Sequence, residues 1–316
     1  MIKDKSYKIL VTGSKGMVGH AVVSLLKKKG YRNVHTPSRD VVDFTRQMQT
    51  EKYFEEMKFD IVIHLAAKVG GIKANNDFPA DFIYENLQIA CNIIHSCHKY
   101  KVKKLINLGS SCIYPKNCPQ PIKEEYLLSN YLEKTNEAYA IAKISGLKLC
   151  EYYNKQYGTN FISLMPCNIY GEHDHFTEGA NAHVLPALLP RFHKAKMEKD
   201  YKVIVWGTGK PLREFIYVQD VADAILFFME NYDAREIPNA LVNIGTGEEI
   251  TIFRLAWLLK NITDYKGLIE FNEELDGTMR KVMNVSKAKR LGWTAKTKLK
   301  DGLKKTYVWY LKNVKD

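Results

Sequence analysis

Short apolar runs alternate with longer amphipathic runs through the first half of the chain. Five apolar runs predict β-strands, at Tyr7–Thr12, Arg32–Pro37, Asp60–Ala66, Lys104–Ser110 and Asn160–Pro166. Several of them are continuously apolar, which is typical of strands buried on both faces. The amphipathic runs predict helices between the strands, at Met17–Lys29, Pro79–Tyr100 and Lys134–Tyr157. This alternation predicts an α/β fold with a doubly wound parallel sheet of the Rossmann type.

Beyond Asn168 the alternation becomes irregular. Gly171–Ala182 is polar and contains glycine, so a loop is predicted, and loops at strand ends often carry function. The later predictions are helices at His183–Lys196 and Val218–Asn231, strands at Val203–Trp206 and Leu241–Ile244, and terminal helices. We therefore expect a nucleotide-binding domain at residues 1–170, to which segments near 214–245 return. Residues 171–316 are expected to form mainly a second, smaller C-terminal substrate domain.

The composition is that of a globular protein. With 46% hydrophobic and 26% charged residues, the 316-residue chain is not a disordered, collagen-like or coiled-coil protein. The net charge of +12, from 47 basic and 35 acidic residues, is spread along the sequence, which favours an ordinary solvated surface over a basic surface that binds nucleic acid.

No apolar run reaches the roughly 18 residues of a membrane-spanning helix and no signal peptide is recognisable, so a cytoplasmic protein is expected. Six cysteines without CxxC spacing predict free thiols and neither a metal site nor a disulfide framework.

A glycine-rich turn, TGSKGMVG at residues 12–19, joins the first predicted strand to the first predicted helix. Glycines at GxxGxxG spacing let the backbone approach a pyrophosphate, whose charge is met by the N–H groups of the helix N-terminus. Because the turn follows the first strand of an alternating fold, it predicts a dinucleotide cofactor rather than a structural turn. The predicted contacts are Gly13, Gly16, Met17, Val18 and Gly19.

Arg39 follows the second predicted strand, where a carboxylate selects NAD and an arginine suits the 2′-phosphate of NADP(H). This favours NADP(H), although Asp40 comes next and Arg39 could be an ordinary surface residue. Asp43 is expected either to contact the adenine edge or to cap the following helix.

Ser110 stands at the end of the fourth predicted strand, and Tyr139 and Lys143 stand four residues apart in the third predicted helix. That spacing places both side chains on one helix face, so the ammonium is expected to lower a phenol pKa that starts near ~10. Tyr139 then donates a proton to a carbonyl oxygen that Ser110 also binds, while a hydride attacks the carbonyl carbon. A YxxxK pair is common by chance, but its order after the glycine-rich turn and Ser110 favours a reductase.

The order TGxxGxxG, Ser, YxxxK resembles that of the extended short-chain dehydrogenase/reductases. Longer stretches resemble the GDP-L-fucose synthase family within that superfamily: VGGI at 69–72, NLGSSCIYP at 107–115, MPCNIYG at 165–171, WGTG at 206–209 and REF at 213–215. The resemblance runs from about residue 8 to the C-terminal helix.

This resemblance implies a reaction on a GDP-4-keto-6-deoxy-mannose-type sugar, with epimerisation at C3 and C5 followed by reduction of the C4 ketone by NADPH. Cys112 and His183 match the family's acid/base pair. The implied substrate contacts are Ser111, Cys112, Arg191, Trp206, Arg213, Asp276 and Lys281. The implied cofactor contacts, besides those of the turn, are Leu65, Ala66, Ala67, Ser110, Tyr139, Lys143, Pro166, Asn168 and His183. A homodimer formed through the helices at Pro79–Tyr100 and Lys134–Tyr157 is implied as well.

The sugar side of the pattern departs from the family. Residues 174–184 read DHFTEGANAHV where the family resembles DNFHPENSHV, and Pro190, Gln219 and Asn284 replace an arginine and two aspartates. The alternative is therefore a reductase that acts on a GDP-4-keto-heptose after a separate epimerase. Two further alternatives are a sugar-nucleotide dehydratase or 4-epimerase with tightly held NAD, and a non-catalytic NADP(H)-binding regulator.

Overall fold

A parallel six-stranded sheet forms the centre of the protein, in a computed structural model that describes residues 4–176, 184–272 and 278–314. Its strands are β1 (Ile9–Thr12), β2 (Val34–His35), β3 (Ile61–His64), β4 (Lys104–Leu108), β5 (Phe161–Pro166) and β10 (Leu241–Ile244). Their order across the sheet is β10-β5-β4-β3-β1-β2, and every neighbouring pair is parallel. The predicted doubly wound α/β fold is confirmed. The strands β1 to β5 are shorter than predicted, and β2 keeps only two residues of the predicted Arg32–Pro37.

Ten helices are present in the described residues. They are α1 (Met17–Lys28), α2 (Gln47–Met57), α3 (Ile72–Asp77), α4 (Pro79–Lys99), α5 (Glu137–Tyr157), α6 (Val184–Glu198), α7 (Val218–Asn231), α8 (Ile252–Thr263), α9 (Ser286–Arg290) and α10 (Leu299–Asn313). The helix α2 was not located from the sequence, because only Thr50 and Phe54 of its eleven residues are buried. So weak an apolar stripe carries little periodic signal.

Both faces of the sheet are covered, because alternate residues of each strand point to opposite sides. Leu10, Val62 and Leu105 pack in one apolar cluster with residues of α2, α4 and α5. Ile9 and Ile61, their neighbours along the strands, pack in the other cluster with residues of α1 and α7. Burial on both faces explains why these strands are continuously apolar in the sequence.

Three smaller sheets are built from short strands of the later chain: β6 (Asn168–Tyr170) with β9 (Phe215–Tyr217), β7 (Lys202–Trp206) with β12 (Leu268–Asn272), and β8 (Leu212–Arg213) between β11 (Ile250–Thr251) and β13 (Arg280–Lys281). Only β7 was predicted. The strands β6, β8, β9, β11 and β13 have only two or three residues, which is too short to show an alternating pattern, so tertiary pairing decides whether they form. The five-residue β12, which pairs with β7, was also missed.

The described residues contain no helix long and apolar enough to cross a membrane. Within the same residues, no group of three or more His, Cys, Asp or Glu side chains is arranged to hold a metal ion. All six cysteines are free thiols, and four of them are buried.

Candidate active site

At the carboxyl end of β1, the backbone of the glycine-rich turn lies close to the backbone that follows β3. Gly13 has a φ of +67°, and a Cβ there would lie 2.8 Å from the backbone nitrogen of Ala66. A Cβ on Gly19 would collide with the carbonyl oxygen of Gly13. Only glycine therefore fits at either position, and the first turn of α1 rests directly on the turn before it.

This turn fits a dinucleotide pyrophosphate. The helix α1 begins after Gly16, which provides no side-chain cap, and its first turn holds no acidic residue. The first N–H groups of a helix lack intrahelical acceptors, so those of Met17, Val18 and Gly19 are available to phosphate oxygens. The backbone geometry thus matches the predicted cofactor contacts.

Thr12, the last residue of β1, ties this turn to the end of β3. Its Oγ1 accepts hydrogen bonds of 3.1 Å from the backbone N–H groups of Leu65 and Ala66. It also lies 3.0 Å from His64 Nδ1, and because its oxygen is the acceptor of two N–H groups, its own hydrogen is the one that reaches Nδ1. Burial, reinforced by the charge of Lys143, lowers the pKa of His64 to about 3, so the imidazole is neutral with its proton on Nε2.

Arg39 lies beyond β2 with 68% of its side chain exposed. Its guanidinium bonds the Asp43 carboxylate at 3.3 Å and lies 3.9 Å from Glu85. The other Asp43 oxygen accepts from the backbone and side chain of Thr45. Asp43 therefore holds a turn before α2 and orients Arg39, whereas the N-cap position of α2 is occupied by Arg46.

Lys143 joins α5 to the carboxyl end of β4. Its Nζ donates a 3.1 Å hydrogen bond to the Leu108 carbonyl and lies 5.7 Å from the centre of the Tyr139 ring. Burial lowers the pKa of Lys143 to about 8, opposed by the neighbouring thiol of Cys112. The predicted proximity of the ammonium to the phenol is present in the structure.

The predicted direction of the Tyr139 pKa is wrong for this structure. Burial raises it above the usual value, and the charge of an ionised Cys112 acts in the same direction. The predicted shift rested on the charge of Lys143 alone, and desolvation of the buried phenolate outweighs that charge. A raised pKa keeps the hydroxyl protonated at neutral pH, which is the state that a proton donor requires.

Ser110 and Cys112 lie on the short 3₁₀ turn that follows β4, at Ser111–Ile113. Ser110 caps this turn, because its Oγ accepts from the Cys112 backbone N–H at 3.4 Å. Burial raises the pKa of the Cys112 thiol. Lys281, Ser110 and Lys143 act in the opposite direction.

Two of the predicted substrate cations are neighbours in the sheet β11-β8-β13. Arg213 of β8 pairs directly with Lys281 of β13. Burial lowers the pKa of Lys281, the Cys112 thiol opposes this shift, and the charge of Arg213 reinforces it. Lys281 is therefore close enough to both Arg213 and the Cys112 thiol for each to shift its pKa.

Arg191 and Trp206, each predicted as a substrate contact, lie against one another in the structure. The guanidinium carbon of Arg191 lies 5.0 Å from the centre of the Trp206 ring, and its Nη1 donates to the Ile204 carbonyl at 2.8 Å. Trp206 remains 48% exposed, so its ring is available to a ligand.

The structure thus brings Ser110, Cys112, Tyr139, Lys143 and Lys281 together. His183 and Asp276 lie outside the described residues, as do residues 177–182 of the predicted loop. The remaining predicted contacts lie near the ends of the strands. Pro166 ends β5, and the side-chain amide of Asn168, in β6, donates a 2.8 Å hydrogen bond to the Glu214 carbonyl. Ser111 is buried in the 3₁₀ turn, and Ala67 follows Ala66 in the chain.

Two contributors were missed from the sequence, His64 and Glu214. Each is a polar residue inside or beside an apolar strand, IVIH and FIY, and is buried in the structure. That interruption of an apolar run was the signal that could have identified them.

Comparison with known proteins places this geometry in a family. The NAD dependent epimerase/dehydratase family matches residues 9–245. GDP-L-fucose synthase 1 of Arabidopsis thaliana is 52% identical over 314 residues, 99% of this chain and 96% of the relative. GDP-L-fucose synthase of Escherichia coli (strain K12) is 45% identical, with 97% of each chain covered. Among solved structures, MlghC, the GDP-mannoheptose C4 reductase from Campylobacter jejuni with NADP bound, is 40% identical with a TM-score of 0.91, covering 98% of this chain and 99% of that one. The chain therefore belongs to the NAD dependent epimerase/dehydratase family and, within it, to the GDP-L-fucose synthases.

Proposed function

We propose that this protein is an NADPH-dependent enzyme that epimerises a GDP-4-keto-6-deoxy-mannose-type sugar at C3 and C5 and reduces its C4 ketone, as in GDP-L-fucose synthesis. The observation that carries the proposal is the convergence of Ser110, Tyr139 and Lys143 at the carboxyl end of β4 beside Cys112. The similarity to GDP-L-fucose synthases over nearly the whole chain supports the same substrate class.

The cofactor lies along the carboxyl ends of β1, β2 and β3 in this proposal. Residues 1–170 bind NADP(H), with the later segments near 214–245 completing that domain, and residues 171–316 mainly bind the GDP-sugar. The backbone of the glycine-rich turn holds the pyrophosphate, and the exposed guanidinium of Arg39 binds the 2′-phosphate. Bound NADPH supplies the hydride that reduces the C4 ketone.

Tyr139 gives the proton that the reduced oxygen needs. Its raised pKa keeps the hydroxyl protonated until negative charge develops on the C4 oxygen. Ser110 donates to the same oxygen, and the Lys143 ammonium, fixed on the Leu108 carbonyl, stabilises the phenolate left on Tyr139. A carbonyl held in this way also acidifies the C–H bonds at C3 and C5.

Cys112 exchanges the protons at those carbons, together with His183 as the family resemblance implies. The buried thiol is protonated in this structure, and the Lys281 and Lys143 ammonium groups stabilise its thiolate. Arg191, Arg213, Lys281 and Trp206 hold the GDP portion, and Asp276 contacts the substrate on the same grounds of resemblance. Forked arginine side chains suit diphosphate oxygens.

A second candidate, reduction of a GDP-4-keto-heptose without epimerisation, has support from the backbone similarity to the heptose C4 reductase, with a TM-score of 0.91. The identity of 52% to a GDP-L-fucose synthase, against 40% to that reductase, favours the first candidate. A non-catalytic NADP(H)-binding protein would have no need for the convergent Ser110, Tyr139 and Lys143.

We further propose a cytoplasmic homodimer. Six free thiols suit the reducing cytoplasm. Residues Tyr84 and Cys91 of α4, seven apart, and Ile141 and Tyr152 of α5, eleven apart, leave exposed apolar stripes on these adjacent helices. A second copy of the chain would cover these stripes by symmetric pairing of the helices.

Tyr139→Phe is expected to lower the rate of NADPH oxidation with the ketosugar by about 10²–10⁴-fold, because the proton donor is removed while the ring remains. NADPH binding, measured by fluorescence titration, should change little. Tyr131→Phe, at a residue that is 87% exposed, is the matched control and should keep full turnover. Near wild-type turnover of the Tyr139 variant would remove it from the acid role.

Arg39→Ala should weaken NADPH on the order of tenfold or more and leave NADH nearly unchanged, because only NADPH carries the 2′-phosphate that the guanidinium would bind. Dissociation constants for both cofactors test this. The exposed Arg32, beside the same strand, provides the control variant Arg32→Ala. Equal losses for both cofactors would contradict the assignment.

Cys112→Ser should abolish exchange of the C3 and C5 hydrogens with D₂O, because a serine hydroxyl ionises far less readily than a thiol. Tyr139 remains in place, so a ketosugar already epimerised should still be reduced. Cys91→Ser, at an exposed cysteine, should retain both activities. Mass spectrometry of the sugar provides the measurement. Wild-type protein that oxidises NADPH without washing deuterium into the sugar would support the reductase-only candidate instead.

Replacing Ile141 and Tyr152 together by glutamate should convert the dimer to a monomer, because two buried charges would face their own copies across the interface. Sedimentation equilibrium measures the mass, and NADPH binding reports that each protomer remains folded. Tyr131→Glu lies outside both helices and should leave the mass unchanged. A monomeric wild type would refute the dimer.

A further inference from the structure

Arg213 and Lys281 are two neighbouring cations held by a very small sheet. The strand β8 pairs with β13 through two residue pairs, Arg280↔Leu212 and Lys281↔Arg213. It pairs with β11 through two more, Ile250↔Arg213 and Thr251↔Leu212. Ladders this short are marginal on their own, and the two like charges repel one another. Some further interaction must hold the strands at a fixed separation.

The carboxylate of Glu214 supplies that interaction. Glu214 follows Arg213 directly and is fully buried, with 0% exposure. Its Oε1 accepts a 2.7 Å hydrogen bond from the backbone N–H of Gly247, three residues before β11. Its Oε2 accepts another of 2.7 Å from the backbone N–H of Met283, two residues after Lys281. One side chain therefore links all three strands at the end where the cations lie.

Gly245 and Asn168 lie next to Glu214 and fit closely against it. A Cβ on Gly245 would collide with Glu214 Oε1, so the chain passes the carboxylate closely only because residue 245 is glycine. The backbone carbonyl of Glu214 accepts from the amide of Asn168 at 2.8 Å, which connects the same point to β6. Hydrogen bonds between a carboxylate and backbone N–H groups are charge-assisted and stronger than neutral ones.

We propose that Glu214 is a positioning residue for diphosphate recognition, whose carboxylate fixes the spacing and direction of Arg213 and Lys281. This inference rests on the proposed function, because it assigns those two cations to the GDP portion of the substrate. The side chain of Glu214 is fully buried, so it acts as a positioning residue rather than as a ligand contact. Its effect reaches the ligand through the backbone of β8 and β13.

Glu214→Gln tests the proposal, because the variant keeps the size of the side chain but replaces one acceptor oxygen by an NH₂ group. That group would face a backbone N–H, and an unsatisfied buried donor weakens the local structure. We expect the dissociation constant for GDP, measured by calorimetry, to rise on the order of tenfold. The dissociation constant for NADPH should remain near the wild-type value, and the thermal midpoint should fall by only a few degrees.

Thr246→Val is the matched control, since it removes a longer 3.4 Å contact to the same carboxylate and leaves the N–H donors of Gly247 and Met283 in place. It also removes the bonds to the exposed Glu248, whose backbone N–H donates to the threonine hydroxyl at 3.1 Å. It should bind GDP as the wild type does. If Glu214→Gln does not fold, Glu214→Asp decides the question by the same measurements, because its shorter side chain cannot reach both N–H groups.

Unchanged GDP affinity in the Glu214 variant would overturn the inference and leave the proposed function standing. Parallel loss of GDP affinity, NADPH affinity and thermal stability would also overturn it, because the role would then be general support of the fold. Wild-type protein that binds no GDP would overturn both the inference and the proposed function.

Discussion

The site depends on the carboxyl ends of β1 and β3 being locked together by Thr12. Its single hydroxyl accepts from two backbone N–H groups of the chain leaving β3 and donates to His64 on that strand. The same residue begins the glycine-rich turn, so the turn is held against the backbone of Ala66 at a distance that only glycine tolerates at position 13. From this point the chain from β1 enters α1 and the chain from β3 runs toward α3 and α4. In the proposed function, the dinucleotide lies between these two segments.

Burial sets the protonation states around the neighbouring strand end. It raises the pKa of Tyr139 and Cys112 and lowers that of Lys143 and Lys281, so each group is moved toward its neutral form. The oppositely charged neighbours act against this, because an ionised Cys112 would favour both lysines in their charged form. The four groups are therefore coupled, and a proton lost by the thiol is compensated by an ammonium nearby. Such coupling suits a site that must donate protons and also accept them.

Sequence reasoning predicted the parts of the molecule that rest on local rules. Continuous apolar runs marked the buried strands, and GxxGxxG and YxxxK marked backbone approach and one-face helix geometry. It missed α2, where only Thr50 and Phe54 face inward, and the two-residue strands β8, β11 and β13, which exist through tertiary pairing. It also gave the wrong direction for the Tyr139 pKa, because spacing reveals a neighbouring charge but not the extent of desolvation. Burial is a property of the whole fold.

In the proposed function, the position of Lys281 couples the nucleotide end of the site to the sugar end. On one side it pairs in the ladder with Arg213, a partner whose like charge lowers its pKa. On the other side it acts on Cys112, whose thiolate it stabilises. A diphosphate held by Arg213 and Lys281 offsets their mutual repulsion and keeps the lysine charged. Because the charged lysine is the form that favours the thiolate, binding of the nucleotide end supports ionisation at the sugar end.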